Sequence, residues 1–413
     1  MMKTYWFYLE TYVFIWSNSK EILLYNTLSG KGYLFSKVSE LNLIVSQLED
    51  KNNLYCITII ETELQYPAIR NFVHSVRENF CGDLLDKSIY KQKPLIIIPE
   101  LNINEEIFTG VKTIKRDIES GIHAEKNLLE LSVHLTGKCE LDCIGCDCMY
   151  KQIGWCTKNE KILPKEMVLN LIEQTRYTAI SEIRFKGGNI FSYPFWDELI
   201  NKLKKYSFKK NVYCNSLLLH SNSKKLEIFK DNGFFICVFV DVSNINEQLI
   251  NGNFPVNQQY KYLFKIKSIE EYEIAQSIIK KHQIKAQIIP YYDHKNLCFF
   301  EENIYQSLDD IINTQWQKNE IFAHTVLNTY FFGKFTVLSD GKIYANVNFE
   351  PVGNIKSDHI KTLVNQELKN GKSWFLTRNK IKPCCDCLYK YLCPSLSNYE
   401  TAIGRNNLCN MSR

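Results

Sequence analysis

Tyr12-Val13-Phe14-Ile15-Trp16 and Glu21-Ile22-Leu23-Leu24-Tyr25 are short runs dominated by β-branched, aliphatic and aromatic residues and bounded by polar turn residues, which predicts strands. Ser17-Asn18-Ser19-Lys20 lies between them and predicts a hairpin. A third short strand is expected at Gly32-Tyr33-Leu34-Phe35. Helical periodicity follows over Ser39 to Leu48 and Tyr66 to Asn79, the second run starting near Pro67, which suits a first helical turn. Three strands backed by helices describe a small winged-helix-like unit, residues 1–85. Residues 86–128 read as a connector with one strand, Pro94 to Ile98.

From Leu129 the texture changes. Strand-like runs at Leu131 to Leu135, Glu182 to Phe185, Asn211 to Leu217, Phe234 to Val242 and Ala286 to Ile289 are separated by helical patterns at Pro164 to Thr175, Trp196 to Lys205, Lys224 to Asp231 and Ile269 to His282. Such repetition predicts an α/β unit, a parallel sheet with outer helices. Five or six strands form an open, partial (β/α)6 TIM-like barrel over residues 129–320 rather than a closed eight-stranded one. A helical stretch near 301–316 precedes Lys334 to Ala345, a hairpin with an Asp340-Gly341 turn, within a cysteine-rich segment of residues 321–413.

Composition narrows the function. A net charge of +5 over 413 residues, with no long Lys/Arg block, argues against nucleic acid as a partner. Lys202, Lys204 and Lys205 fit a solvated helix face. No apolar run reaches the roughly 18 residues a membrane helix needs, and Met1 to Leu9 has one basic residue, Lys3, and not the layout of a signal peptide. A cytoplasmic protein with no membrane partner is expected. Fifteen cysteines in that compartment argue for metal or redox chemistry rather than disulfides. Five lie between 139 and 156 and five between 384 and 409, which implies two sites. Cys56, Cys81, Cys214, Cys237 and Cys298 sit in apolar surroundings and are expected to be buried small hydrophobes.

Cys139, Cys143 and Cys146 have C-x3-C-x2-C spacing directly after the first strand of the expected barrel. A tight loop of this kind wraps three thiolates around one iron–sulfur cubane and leaves the fourth iron open to a chelating ligand. Zinc, or reduced thiols without metal, is the competing reading. The strand, loop and spacing resemble the radical SAM superfamily. That resemblance implies a [4Fe-4S] cluster binding S-adenosylmethionine (SAM) and a reductive cleavage that yields a 5′-deoxyadenosyl radical. It also implies SAM contacts from Gly187 and Gly188 and from Asn189, which stands where the family carries an acid. Asn215 and Ser216, and Asp241 with Ser243, fall at strand ends where ligands of parallel sheets collect. A plain strand-to-helix turn explains the glycines equally, and helix capping explains the polar strand ends. Cys148 and Cys156 fit no ligand spacing of this type and read as loop or core cysteines, with substrate-side thiols as the alternative.

Cys384, Cys387 and Cys393 have C-x2-C-x5-C spacing, and Cys409 follows after fifteen residues. This resembles the SPASM domain, and the resemblance implies one auxiliary [4Fe-4S] cluster on Cys384, Cys387, Cys393 and Cys409, with Cys385 as a spare. Four thiolates suit structural zinc as well. Ligands for a second auxiliary cluster are absent, because Asn346, Asn348, Asp358 and Ser397 occupy the corresponding places.

Tyr5-Trp6-Phe7-Tyr8-Leu9, Phe185-Lys186-Gly187-Gly188-Asn189-Ile190-Phe191 and Leu392 to Glu400 together resemble Bacteroidetes SPASM-type GG-peptide maturases and their pseudo-radical-SAM relatives. The resemblance implies a ribosomally made precursor peptide as substrate. Its leader would be bound by the first unit through strand addition, and a flavodoxin or ferredoxin would be the reductant. A cross-link, thioether or epimer would be the product, and a non-catalytic peptide-binding partner is the alternative. A merely structural cap on the barrel is the other reading of the first unit. No general base is assigned: His134, Tyr291 and Asp293 are equally well explained as packing or surface residues.

Overall fold

The computed structural model describes residues 2–97, 124–245, 254–255 and 257–411. Six strands make up the first unit: β1 (Thr4–Leu9), β2 (Val13–Ser17), β3 (Glu21–Asn26), β4 (Lys31–Ser36), β5 (Cys56–Ile60) and β6 (Gly82–Asp86). They form two antiparallel sheets, ordered β5-β1-β6 and β2-β3-β4. The hairpin and the strand near Gly32 stand as expected, whereas β1, β5 and β6 were not foreseen. Pro94 to Ile97 carry no strand, and Ile98 lies outside the described residues. Helices Ser39–Glu49 and Pro67–Glu78 bury Leu41, Ile44, Val45, Phe72, Val73 and Val76 against Phe7, Val13 and Ile57.

The second unit centres on parallel strands β7 (Glu130–Thr136), β8 (Glu182–Gly187), β9 (Lys209–Asn215), β10 (Phe234–Asp241), β11 (Tyr260–Ile266) and β12 (Ala286–Pro290). Each pairs with the next in chain order. β11 is an addition to the expected set, because Lys261 and Lys265 interrupt its apolar run. β9 stops at Asn215, whose side-chain oxygen accepts from Leu217 N at 3.0 Å and turns the chain before Leu217. β13 (Lys334–Val337) pairs in parallel with β7, and β14 (Lys342–Tyr344) and β15 (Gly353–Asn354) continue the sheet antiparallel to nine strands. The Asp340-Gly341 turn forms as expected, with Gly341 at φ +88°.

Period two divides this sheet into two unlike faces. Leu131, Val133, Leu135, Ile183, Phe185, Val212, Ile236, Val238, Val240 and Phe264 face the helices and form the main core. Helix Ile269–His282 shows how those helices are delimited: the Ser268 side chain accepts from Glu271 N, acids fill the first turn, bases the last, and Gln283 ends it in a left-handed conformation. Glu130, Ser132, His134, Arg184 and Lys186 face the other way, into a cavity.

Sheet β2-β3-β4 docks on the cysteine-rich tail. Phe14, Leu23 and Tyr25 pack with Ile311, Ile321, Leu388, Tyr389 and Leu392. The fully buried Tyr25 donates its hydroxyl to Thr314 O and accepts from Trp316 N, both at 2.8 Å. Among the described residues no helix is long and apolar enough to cross a membrane. Replacing Tyr25 with Phe strands one donor and one acceptor at this joint. A loss of about 1–3 kcal/mol is expected in urea unfolding, and an unchanged midpoint would count against the joint as a stabilising contact.

Candidate functional site

Strand β7 runs into its loop through a register shift against β8 between His134 and Thr136. The loop is pressed onto the β8 turn. Gly188 N donates to Thr136 O at 2.7 Å and Asn189 N to Lys138 O at 2.6 Å. A Cβ on Gly187 would come within 2.5 Å of Thr136 O, and one on Gly188 within 2.4 Å of Lys138 O. No side chain fits there. The two glycines, expected to meet a ligand, meet the backbone of the cysteine loop. From outside, Lys158 Nζ clamps the loop through Leu141 O at 3.1 Å and Asp142 at 2.6 Å.

Besides burial, Cys146 raises the thiol pKa values of both Cys139 and Cys143. Burial first, then its two partners, push Cys143 up to about 11. Its hydrogen-bonding contact with Cys156, 3.8 Å sulfur to sulfur, brings Cys146 down to about 7. Cys143 and Cys146 adjoin an apolar cluster of Met149, Trp155, Cys156, Cys237, Phe239, Leu263 and Tyr291.

Two strand ends reach this group. Asn215 Nδ2 lies 3.7 Å from Cys143 Sγ. Asp241 is ion-paired at 2.6 Å with Lys265, its register partner on β11, both almost fully buried. Asp241 Oδ1 is buried with no hydrogen-bond partner among the described residues, and it lies near enough to act on the Cys143 thiol. An orphaned carboxylate oxygen on a residue that acts on Cys143, one of three soft sulfur donors in the loop, fits an iron–sulfur cluster whose ligand carries an amino or hydroxyl donor. Ser216 is buried in the turn after β9, and Ser243 Oγ donates to Glu271 Oε1. Asn189 caps its own turn through Phe191 N and donates Nδ2 to Glu140 Oε2 at 3.0 Å, which holds the Glu140 carboxyl below its usual range.

In the tail, Cys384, Cys387, Cys393 and Cys409 line one cavity of about 260 Å³. Cys385 is not in its lining, and Arg378 Nη1 lies 3.5 Å from Cys384 Sγ while the same guanidinium pairs with Glu400 at 2.9 Å. Burial pushes the Cys393 thiol up to about 12, so occupancy by any metal must release protons. The polar residues Asn346, Asp358 and Ser397 serve local backbone. Asn346 accepts from Asn348 N, Asp358 from Asn354 N, and Ser397 caps helix Asn398–Ile403. Among the described residues no three His, Cys, Asp or Glu side chains are grouped around a single metal ion. Of the scattered cysteines, Cys56, Cys81, Cys214 and Cys237 are buried, while Cys298 is exposed on helix Leu297–Asn303.

The larger cavity, about 490 Å³, lies between the inner sheet face and the tail. Glu130 bridges Arg184 and Lys334 at 2.9 and 3.5 Å, and Lys186 donates to Gly154 O. Burial, then Arg184, brings Lys186 down to about 7, and burial, then Lys186, brings His134 down to about 3. Sequence reasoning assigned no role to Lys186, Glu140 or Lys265. The usable signal was charge at period two in Glu182, Arg184 and Lys186 within a core strand. Tyr291 is buried beneath Gly145, where a Cβ would strike its hydroxyl, and Asp293 accepts from Lys295 N and Asn296 N in a turn.

No family model and no curated protein matches the sequence. Among solved structures the chain is similar to Streptococcus suis SuiB bound to precursor peptide SuiA, with TM-score 0.45 and 11% identity over 97% of both chains. SuiB bound to S-adenosylmethionine gives TM-score 0.44 and 12% identity over 98% of this chain and 99% of that one. The protein anSMEcpe with bound AdoMet gives 0.43 and 13%, covering 64% of this chain and 87% of the other. Likeness at that level leaves the assignment to this chain's own residues.

Two tests follow from the buried charges. An unfolded His near 6.5 binds a proton that folded His134 refuses until about pH 3, so stability falls as pH drops through that window. Between about pH 7 and 10.5 the unfolded chain holds a proton that Lys186 has lost, so stability rises with pH there. Urea midpoints against pH should flatten in the acid window for His134→Gln and in the alkaline window for Lys186→Met. Asp241→Ala leaves Lys265 buried without its partner and should cost about 3–5 kcal/mol, whereas replacing both with apolar residues should cost far less. Equal losses for the single and double variants would contradict that account.

Proposed function

We propose that the chain is a radical SAM enzyme modifying a ribosomally synthesised precursor peptide by cross-link, thioether or epimerisation. The observation that carries this reading is that Asn215, at the carboxyl end of a parallel strand, lies 3.7 Å from Cys143 of the cysteine loop, with the orphaned Asp241 Oδ1 at the end of the next strand. When bound, the cluster and SAM supply a 5′-deoxyadenosyl radical that abstracts hydrogen from the peptide. The three thiols hold the cluster, with the Asn215 amide beside Cys143. Asp241 Oδ1 would accept from an amino or hydroxyl donor of SAM, and Gly187, Gly188, Asn189 and Ser216 would complete the SAM side. Trp155 stacks on Phe239 at 4.1 Å within the apolar cluster that includes Cys146.

Cys384, Cys387, Cys393 and Cys409 hold an auxiliary [4Fe-4S] cluster. Their ring around a cavity favours a cluster over zinc, which draws four thiolates to about 2.3 Å from one point. Residues 1–85 bind the leader, 86–128 connect, 129–320 form the SAM unit and 321–413 the single-cluster SPASM-like unit. A cytoplasmic flavodoxin or ferredoxin supplies the electron.

One set of contacts favours a second reading, a non-catalytic peptide-binding partner of another maturase. Asn189 commits its amide to Glu140 and one oxygen of Asp241 is held by Lys265.

Anaerobic reconstitution with iron and sulfide should load iron for two four-iron clusters and support 5′-deoxyadenosine release under reduction. Replacing Cys139, Cys143 and Cys146 together with Ala should remove half the iron and all release. A wild-type chain that loads both clusters but releases none with its peptide present would leave the second reading standing.

A further inference from the structure

Arg378 opens the short helical turn Arg378–Lys380, and although it is only 8% exposed every nitrogen of its guanidinium is engaged. Nε donates to Pro394 O, Nη2 to Glu400 Oε1 at 2.9 Å, and Nη1 to Cys384 Sγ and Asn406 O, both at 3.5 Å. The Glu400 carboxylate is fixed in turn. Its Oε2 accepts from Ser397 N and Oγ in the capping box of helix Asn398–Ile403, and the residue is 4% exposed. Pairing with Glu400 accounts for a buried arginine, but not for a guanidinium nitrogen laid on a sulfur that lines the four-thiol cavity. Cys384 Sγ has two polar contacts, donating to Asn406 O at 3.5 Å and accepting from Arg378. Loss of the thiol proton removes the first and makes the second a charge-assisted bond, because the guanidinium keeps its charge at any working pH. Cys409 Sγ takes a neutral donor instead, Asn407 Nδ2 at 3.5 Å.

The geometry points to Arg378 as the residue that sets the reduction potential of the auxiliary cluster, through a hydrogen bond from Nη1 to the Cys384 thiolate, with Glu400 as the counter-charge that limits it. This rests on the reading of Cys384, Cys387, Cys393 and Cys409 as a cluster site. Reduction adds one negative charge to a cluster, so a fixed cation and a donor at one of its sulfurs stabilise the reduced form more than the oxidised one. Arg378 therefore raises the potential. The Glu400 carboxylate, paired with the same guanidinium, lowers it. Arg378 lines both cavities and Glu400 the larger one, which puts the pair between the auxiliary cluster and the inner sheet face.

The test uses the full chain with Cys139→Ala, Cys143→Ala and Cys146→Ala, reconstituted anaerobically with iron and sulfide so that only the auxiliary cluster loads. Redox titration followed by electron paramagnetic resonance reads its potential. Arg378→Met combined with Glu400→Met removes donor and counter-charge together and leaves neither charge buried alone. Its reduction equilibrium should shift at least tenfold toward the oxidised cluster, a potential lower by about 59 mV. Glu400→Gln keeps Nη1 on the thiolate and removes the opposing charge, so its potential should rise. Arg378→Lys, which keeps the charge without the fork, should fall between the parent and the double variant. Shifts of opposite sign are not what a general loosening of the tail produces. The same variants in the chain with all its cysteines should give two titrating clusters, of which one moves. Equal potentials throughout, or a shift of the same sign for Glu400→Gln and the double variant, overturn the role of Arg378 while leaving the auxiliary cluster intact. A chain that takes zinc or no metal at these four thiols overturns the cluster and this role together.

Discussion

The candidate site depends on two backbones lying closer than side chains allow. β8 ends in Gly187-Gly188, and the peptide groups of Gly188 and Asn189 donate to Thr136 and Lys138 at the root of the cysteine loop. A methyl group at either glycine would enter the van der Waals shell of a carbonyl oxygen. The contact aims the loop: with its root tied to β8 and its outer side held by Lys158, the segment from Cys139 to Cys146 turns toward the ends of β9 and β10. Asn215 reaches Cys143 only because that turn is made.

The same sheet holds unlike environments on its faces. Its helix side is apolar throughout, while its inner side carries Glu130, Arg184, Lys186, His134, Asp241 and Lys265 at low exposure. Buried charges persist when paired or neutralised, and both solutions occur. Arg184 is held between Glu130 and Glu182, and Lys265 is matched to Asp241 across adjacent strands. Lys186 and His134 shed charge instead, each lowered first by burial. The inner face is therefore polar without being strongly charged, and it borders both the cysteine loop and the larger cavity.

The tail is tied to the rest of the described fold through β13 on β7, through the Tyr399 hydroxyl donating to Pro290 O, and through the packing of the first unit. Arg378 links Cys384 to Glu400 and lines both cavities. Sheet β2-β3-β4 packs on Leu388, Tyr389 and Leu392 beside Cys393. The first unit is thereby joined through an apolar seam to the segment that carries Cys393. Asn346, Asp358 and Ser397 are turned to backbone capping.

Strand-like and helical patterns already foretold the parallel α/β unit, the β2-β3 hairpin and the Asp340-Gly341 turn, because each is a local consequence of side-chain pattern and turn chemistry. Cysteine spacing likewise marked Cys139, Cys143 and Cys146, since a short loop brings them together whatever surrounds it. Strands such as β1 and β11 escaped notice: aromatic residues and interspersed lysines blur an alternation that becomes legible only when neighbours supply partners such as Asp241 for Lys265. Tertiary structure alone decided that the glycines pack on backbone, that Glu140 meets Asn189, and that Cys156, ten residues beyond Cys146, returns to its side. Those contacts join chain segments whose separation carries no periodic signal, so only the folding of the sheet brings them into reach.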